Sequence, residues 1–81
     1  MMMKLVATPT LRTIREREHG LTQEEVKSLL ALEGWTMSRQ FYTQIENGQR
    51  SVGRDLALTI SRIFKTPVDH LFAKVETVHH A

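Results

Sequence analysis

Glycine and proline occur at only six positions in this chain (9, 20, 34, 48, 53 and 67), and these cut it into pieces of which all but 49–52 are long enough for one short helix. Thr8-Pro9 offers an N-cap followed by proline at the first helical position, where the missing N–H costs nothing. Leu11 and Ile14 lie three apart on one face, and this first helix is expected to end near His19 at Gly20, with Leu21 packing just beyond. Thr22-Gln-Glu-Glu25 reads as a capping box opening a second helix, whose buried stripe is Val26, Leu29 and Leu30. Gly34 is expected to stop it, with Trp35 folding back onto Leu30 in a Schellman-type cap. Ser38 caps a third helix running to about Asn47, and a turn from Gly48 to Gly53 comes next. A fourth helix over about 54–65 places Leu56, Ala57, Ile60, Ile63 and Phe64 at helical spacing. Thr66-Pro67 repeats the cap-plus-proline start, and Asp69 favours the N-terminus of a fifth helix whose Val68, Leu71 and Phe72 close the core. The expectation is an all-α domain of five short helices, a single unit over residues 1–81 with its core in about 8–73. The termini, Lys4 to Ala7 and Val75 to Val78, could pair as short extended arms.

With 81 residues there is room for one core only, and a chain of this size buries about two-thirds of its unfolded surface. The absence of cysteine excludes disulfides and thiolate zinc sites, so apolar packing must hold the fold. Met1 to Ala7 is too short an apolar stretch for a signal peptide and no run could span a bilayer, so a cytoplasmic protein is expected.

The net charge of +2 is small, but its placement is informative. From Ser38 to Arg54, three arginines (Arg39, Arg50, Arg54) stand against Glu46, a local excess that equals the surplus of the whole chain. As a helix, this segment puts Phe41, Tyr42 and Ile45 on or near one side and Arg39, Gln40, Thr43 and Gln44 elsewhere. Arginine matches guanine O6/N7 and glutamine matches adenine N6/N7, each through two parallel hydrogen bonds in the DNA major groove. On charge and spacing alone, the same residues are equally a solvated face of an amphipathic helix.

In order along the chain, Gly20-Leu-Thr-Gln-Glu-Glu-Val26, Ser38-Arg39, Tyr42-Thr-Gln-Ile-Glu-Asn-Gly-Gln-Arg50, Leu56-Ala-Leu-Thr-Ile-Ser-Arg-Ile-Phe64 and Val68-Asp-His-Leu-Phe72 resemble the helix-turn-helix regulators of the phage Cro and repressor type, the xenobiotic-response-element family. The resemblance covers residues 10 to 73 and implies a five-helix, lambda-repressor-like fold with the helix-turn-helix at helices two and three. The chain departs from the family in the connection between these helices, where Leu32-Glu-Gly-Trp-Thr36 adds about five residues to the usual tight turn. An extra helical turn, the Gly34 cap and a Trp35 anchor would absorb them; the alternative is that Trp35 stands exposed as a phosphate or partner contact.

The resemblance assigns base reading to Arg39 and Gln40 at the start of the third helix and to Gln44 one turn on, with Thr43 touching a thymine methyl or a phosphate. Gln23, Ser38, Asn47 and Arg50 are its backbone-phosphate candidates, Gln23 helped by the positive end of the second helix. It pairs Glu46 with an arginine of the first helix, for which Arg15 is the nearest match. Tyr42 takes the family's core position, which leaves Phe41 to pack against the long connection and Trp35 or to meet a thymine methyl. The implied function is a sequence-specific transcriptional regulator, expected to be a repressor that binds a palindromic operator on double-stranded DNA as a homodimer. Leu71, Phe72, Val75 and Val78, with the Leu5-Val6 arm, are the expected dimer surface. An antitoxin of a toxin–antitoxin pair, or a protein-interaction adaptor, could use the same fold.

Nothing points to an enzyme, a cofactor or a metal. His79-His80 lacks a third ligand, and His19 and His70 are lone. Glu16 and Glu18 are ordinary helix charges, and neither a phosphate loop nor a nucleophile motif occurs.

Overall fold

A computed structural model describes residues 4–75. Its elements are β1 (Lys4–Ala7), α1 (Pro9–Thr13) running on into a π-helical turn (Ile14–Glu18), α2 (Gln23–Leu32), α3 (Arg39–Glu46), α4 (Arg54–Phe64), α5 (Val68–Leu71) and β2 (Phe72–Val75). Leu11, Val26, Leu30, Tyr42, Ile45, Ile60, Phe64 and Leu71 are fully buried at the centre, so every helix contributes to one core.

The five expected helices are present, and beside them β1 and β2 form an antiparallel pair, as the expectation that the terminal arms could pair allowed. Its register runs from Lys4 opposite Val75 to Ala7 opposite Phe72, three residues earlier in the second arm than the sequence suggested. Two further bonds fasten the arm to the α3–α4 turn: Leu5 N–H donates to the Val52 carbonyl at 3.0 Å, and Val52 N–H to the Leu5 carbonyl at 2.7 Å. Thr8 is part of the same fastening. Its N–H donates to the Leu71 carbonyl at 2.8 Å and its hydroxyl lies 3.1 Å from the His70 carbonyl, so the side chain holds the end of α5 instead of capping α1. Thr66 likewise caps nothing; its hydroxyl donates to the Phe64 carbonyl at 2.9 Å.

This arrangement corrects the expected dimer surface, while it meets the expectation that Leu71 and Phe72 close the core. Leu5, Leu71 and Phe72 are buried in the protomer's own core, because the strand pair folds them over it. Val75 remains exposed, whereas Val78 and the His79-His80 pair lie outside the described residues. Leu29, expected in the core, is also exposed, since Val26 and Leu30 complete the inward stripe of α2 without it.

Local hydrogen bonding at the two ends of α2 sets where α3 begins. The Thr22–Glu25 capping box closes with both bonds, 3.1 Å from the Glu25 N–H to the Thr22 hydroxyl and 2.9 Å back from the Thr22 N–H. At the other end of α2, Gly34 takes φ +90, its N–H bonds the Ala31 carbonyl and the Trp35 N–H bonds the Leu30 carbonyl. This is the Schellman pattern, and it returns a half-buried Trp35 to the core. The lengthened connection therefore starts from a rigid point and re-enters α3 at the Ser38 cap, whose hydroxyl accepts from the Phe41 N–H at 3.0 Å.

The π-helical turn was not expected. One residue more than a regular helix is held between the Ile14 carbonyl and the His19 N–H that bonds it, and Leu11, Ile14 and the neighbouring Arg15 all turn inward.

Candidate nucleic-acid interface

The inner side of α3 is Tyr42, Ile45 and Glu46, all buried; Arg39, Gln40 and Asn47 are exposed, and Thr43 and Gln44 are half-buried between. A helix with this division has one side fixed by packing and the other presented to solvent. Arg39 and Gln40 stand at its N-terminal end, and among the described residues neither side chain is engaged in a hydrogen bond.

Gln44 is one turn further along. Its side-chain carbonyl accepts from Arg50 Nε at 2.6 Å, which leaves its NH₂ group turned away from that bond as a donor. The Arg50 guanidinium also lies over the Phe41 ring, 4.7 Å from its centroid. Phe41 is thus the platform for Arg50, a role the sequence did not suggest, and it shares a shallow recess with Trp35, Val52 and Leu56. The three side chains hold one another at the point where the helix turns into the loop.

Behind the exposed side of α3 runs a polar network. Arg15 Nε and Nη2 donate to the two Glu46 oxygens at 2.8 and 2.7 Å, and Arg15 Nη1 donates to the Leu21 carbonyl at 2.8 Å. The Glu46 side chain has no solvent exposure. Burial pushes the Glu46 carboxyl up, but hydrogen bonds from Arg15 and Gln23 and the arginine's charge outweigh it and hold the group below the usual carboxylate range. The bond to Glu46 raises the Arg15 guanidinium further above its ordinary value. The Tyr42 hydroxyl is buried and has no hydrogen-bond partner among the described residues. Desolvation, reinforced by the Glu46 charge, pushes its ionisation far up, so the phenol stays neutral.

Gln23 and Thr43 extend the network toward the N-terminal end of α3. Gln23 Nε2 donates to Glu46 at 3.2 Å and its carbonyl accepts from the Thr43 hydroxyl at 2.7 Å. That hydroxyl has a single proton, shared between Gln23 and the Arg39 carbonyl at 2.9 Å. Gln23 therefore links α2 to α3, and with its hydroxyl proton so engaged Thr43 has its methyl group left without a polar commitment. Ser38 is exposed with its oxygen committed to the cap, which leaves the hydroxyl proton as a donor.

Asn47 closes α3, and its side-chain carbonyl accepts from Nη2 of Arg12. Arg12 was missed by sequence reasoning. Its spacing from Arg15, three residues on the same helix, placed both on one face and was the available signal.

Among the described residues no helix is long and apolar enough to cross a membrane. No curated protein and no solved structure matches the chain. A family model described as helix-turn-helix matches residues 11–71, from the first core leucine of α1 to the last residue of α5 and across the lengthened connection. The chain belongs to the helix-turn-helix family of the Cro and repressor type, the xenobiotic-response-element family of DNA-binding transcriptional regulators.

Proposed function

We propose that this regulator is a repressor that binds a pseudo-palindromic operator as a homodimer, with α3 in the major groove. In this reading Arg39, Gln40 and Gln44 contact base edges and Thr43 offers its methyl group, while Ser38, Asn47 and Arg50 hold phosphates. Gln23 adds to the phosphate set through the amide proton its internal bonds leave over. The observation that carries the reading is the division of α3: exposed Arg39 and Gln40 at the end that enters the groove, backed by buried Tyr42, Ile45 and Glu46.

Dimerisation is argued from magnitude. An eight-residue helix makes few base contacts, and two half-sites one helical turn apart roughly double the recognition. With Leu5, Leu71 and Phe72 withdrawn into the core, exposed Val75 on β2 and half-buried Val6 on β1 are what remain of the expected surface among the described residues. Repression needs no more than occupancy of the operator, so it requires no contact beyond those with DNA.

Selection of bound duplexes from a random pool tests the proposal. The expected outcome is enrichment of an inverted repeat with half-sites about 10 base pairs apart, bound with an affinity that falls about a thousandfold between 50 and 200 mM salt. A pool that enriches nothing overturns the DNA reading. A single unrepeated site overturns the dimer, as does a monomer mass in sedimentation at micromolar protein with operator present.

A further inference from the structure

We infer that Arg12, held by Asn47, is a further phosphate contact at the seam between the first helix and the end of α3; the inference rests on the DNA-binding reading. The charges at this seam do not balance. Glu46 Oε1 already accepts Arg15 Nη2 at 2.7 Å and Gln23 Nε2 at 3.2 Å, and Arg12 Nε reaches it only at 3.4 Å. One carboxylate thus faces two guanidiniums. The surplus positive charge falls on Arg12, whose side chain is 52% exposed where that of Arg15 is 9% exposed.

The hydrogen-bonding groups are equally one-sided. Arg12 has five N–H donors and no acceptor, and among the described residues only Nε and Nη2 are engaged. Asn47 commits its acceptor to Arg12, so what it presents to solvent is its NH₂ group. Glu46, the carboxylate that Arg12 reaches, is sealed inside. The seam therefore offers donors and positive charge together, which suits an anion with several acceptor oxygens such as a phosphodiester.

Position supports the same ligand. Helix α3 has eight residues, about 12 Å in length, which is close to the width of the major groove. With Arg39 and Gln40 at the base edges, the far end of the helix comes to the groove wall, where the phosphates run. An anion at a helix C-terminus is ordinarily repelled by the dipole. Arg12 reverses that sign, which a merely bracing residue would not need to do while exposed.

The test compares wild type, Arg12→Gln, Arg12→Lys and Asn47→Asp on a random-sequence duplex and on a selected operator, with binding measured across a salt series. Arg12→Gln should reduce the magnitude of the slope of log K against log salt by about 0.9 per chain, and weaken both duplexes by the same factor. Arg12→Lys should keep the wild-type slope. Asn47→Asp, an exposed change that adds a carboxylate beside Arg12, should weaken both duplexes without altering the urea midpoint by much. A wild-type slope in Arg12→Gln overturns the inference and leaves the DNA reading standing; unchanged affinity in Asn47→Asp overturns it together with the phosphate role of Asn47. Wild-type protein that shows no salt-dependent binding to either duplex overturns both.

Discussion

Arg15 and Glu46 join the first helix to the end of α3 through two hydrogen bonds of 2.8 and 2.7 Å, with the carboxylate wholly out of solvent. A buried pair of this kind contributes little net stability against well-packed apolar residues, but losing one partner strands the other charge. Arg15→Met should therefore destabilise the domain by about 3 kcal/mol, whereas the double change Arg15→Met, Glu46→Leu should recover most of that loss. Urea unfolding of the single and double variants reads the difference; equal losses would show that Glu46 is not stranded.

The same carboxylate sets an acid limb. Its folded-state pKa is depressed, so its contribution to stability is complete above the unfolded value, about 4.3, and is lost as pH falls through the folded value. Glu25, depressed by its bonds with the backbone and hydroxyl of Thr22, acts in the same window and sense. Stability is expected to be flat with respect to these two groups from pH 7 to about 5 and to fall below about 4.3. Glu46→Gln should flatten that fall in a pH series of urea midpoints; an undiminished fall would assign it elsewhere.

Gln23 sits between Glu46 and Thr43, bonded to both. Gln23→Ala should destabilise the domain by about 1 kcal/mol and weaken DNA binding without changing the preferred bases. A changed consensus in a repeated selection would mean that the amide reads DNA directly.

Arg39 and Gln44 carry the opposite expectation. Arg39→Ala or Gln44→Ala should leave the unfolding midpoint nearly unchanged, cost roughly 1 to 3 kcal/mol in operator binding and relax preference at one base pair. Equal losses on operator and random DNA would remove them from the base-reading set.

Two helix ends test one backbone effect with opposite signs. Gly34 takes φ +90 with open space where a Cβ would stand, so Gly34→Ala meets only the conformational penalty and should destabilise by about 1 kcal/mol. Lys65 takes φ 51 at the end of α4, and Lys65→Gly should stabilise by up to about 1 kcal/mol. Thermal melts of the two variants shifting in the same direction would contradict this account.

The helices and their ends were legible in the sequence because caps and glycines act within a few residues of themselves. Thr22 with Glu25, Gly34 with Trp35, and Ser38 ahead of Arg39 each determine a local hydrogen-bond pattern without reference to the rest of the chain. The candidate site was legible in composition for the same reason: the period of a helix separates Arg39 and Gln40 from Tyr42 and Ile45. What only the tertiary structure decided were the pairings between distant residues. Thr8 has a hydroxyl fit for a cap, yet the carbonyls at the end of α5 lie closer to hand once the strands pair. In the sequence Leu71 and Phe72 suit both the core and an outward stripe, and the pairing of β1 with β2 decides for the core. Arg12 is one exposed arginine among several in the sequence, and it acquires a partner and a role only because the packing of the first helix brings it to Asn47. Local backbone chemistry sets where helices begin and end, whereas the partner of a polar side chain is set by which elements the burial of apolar surface brings together.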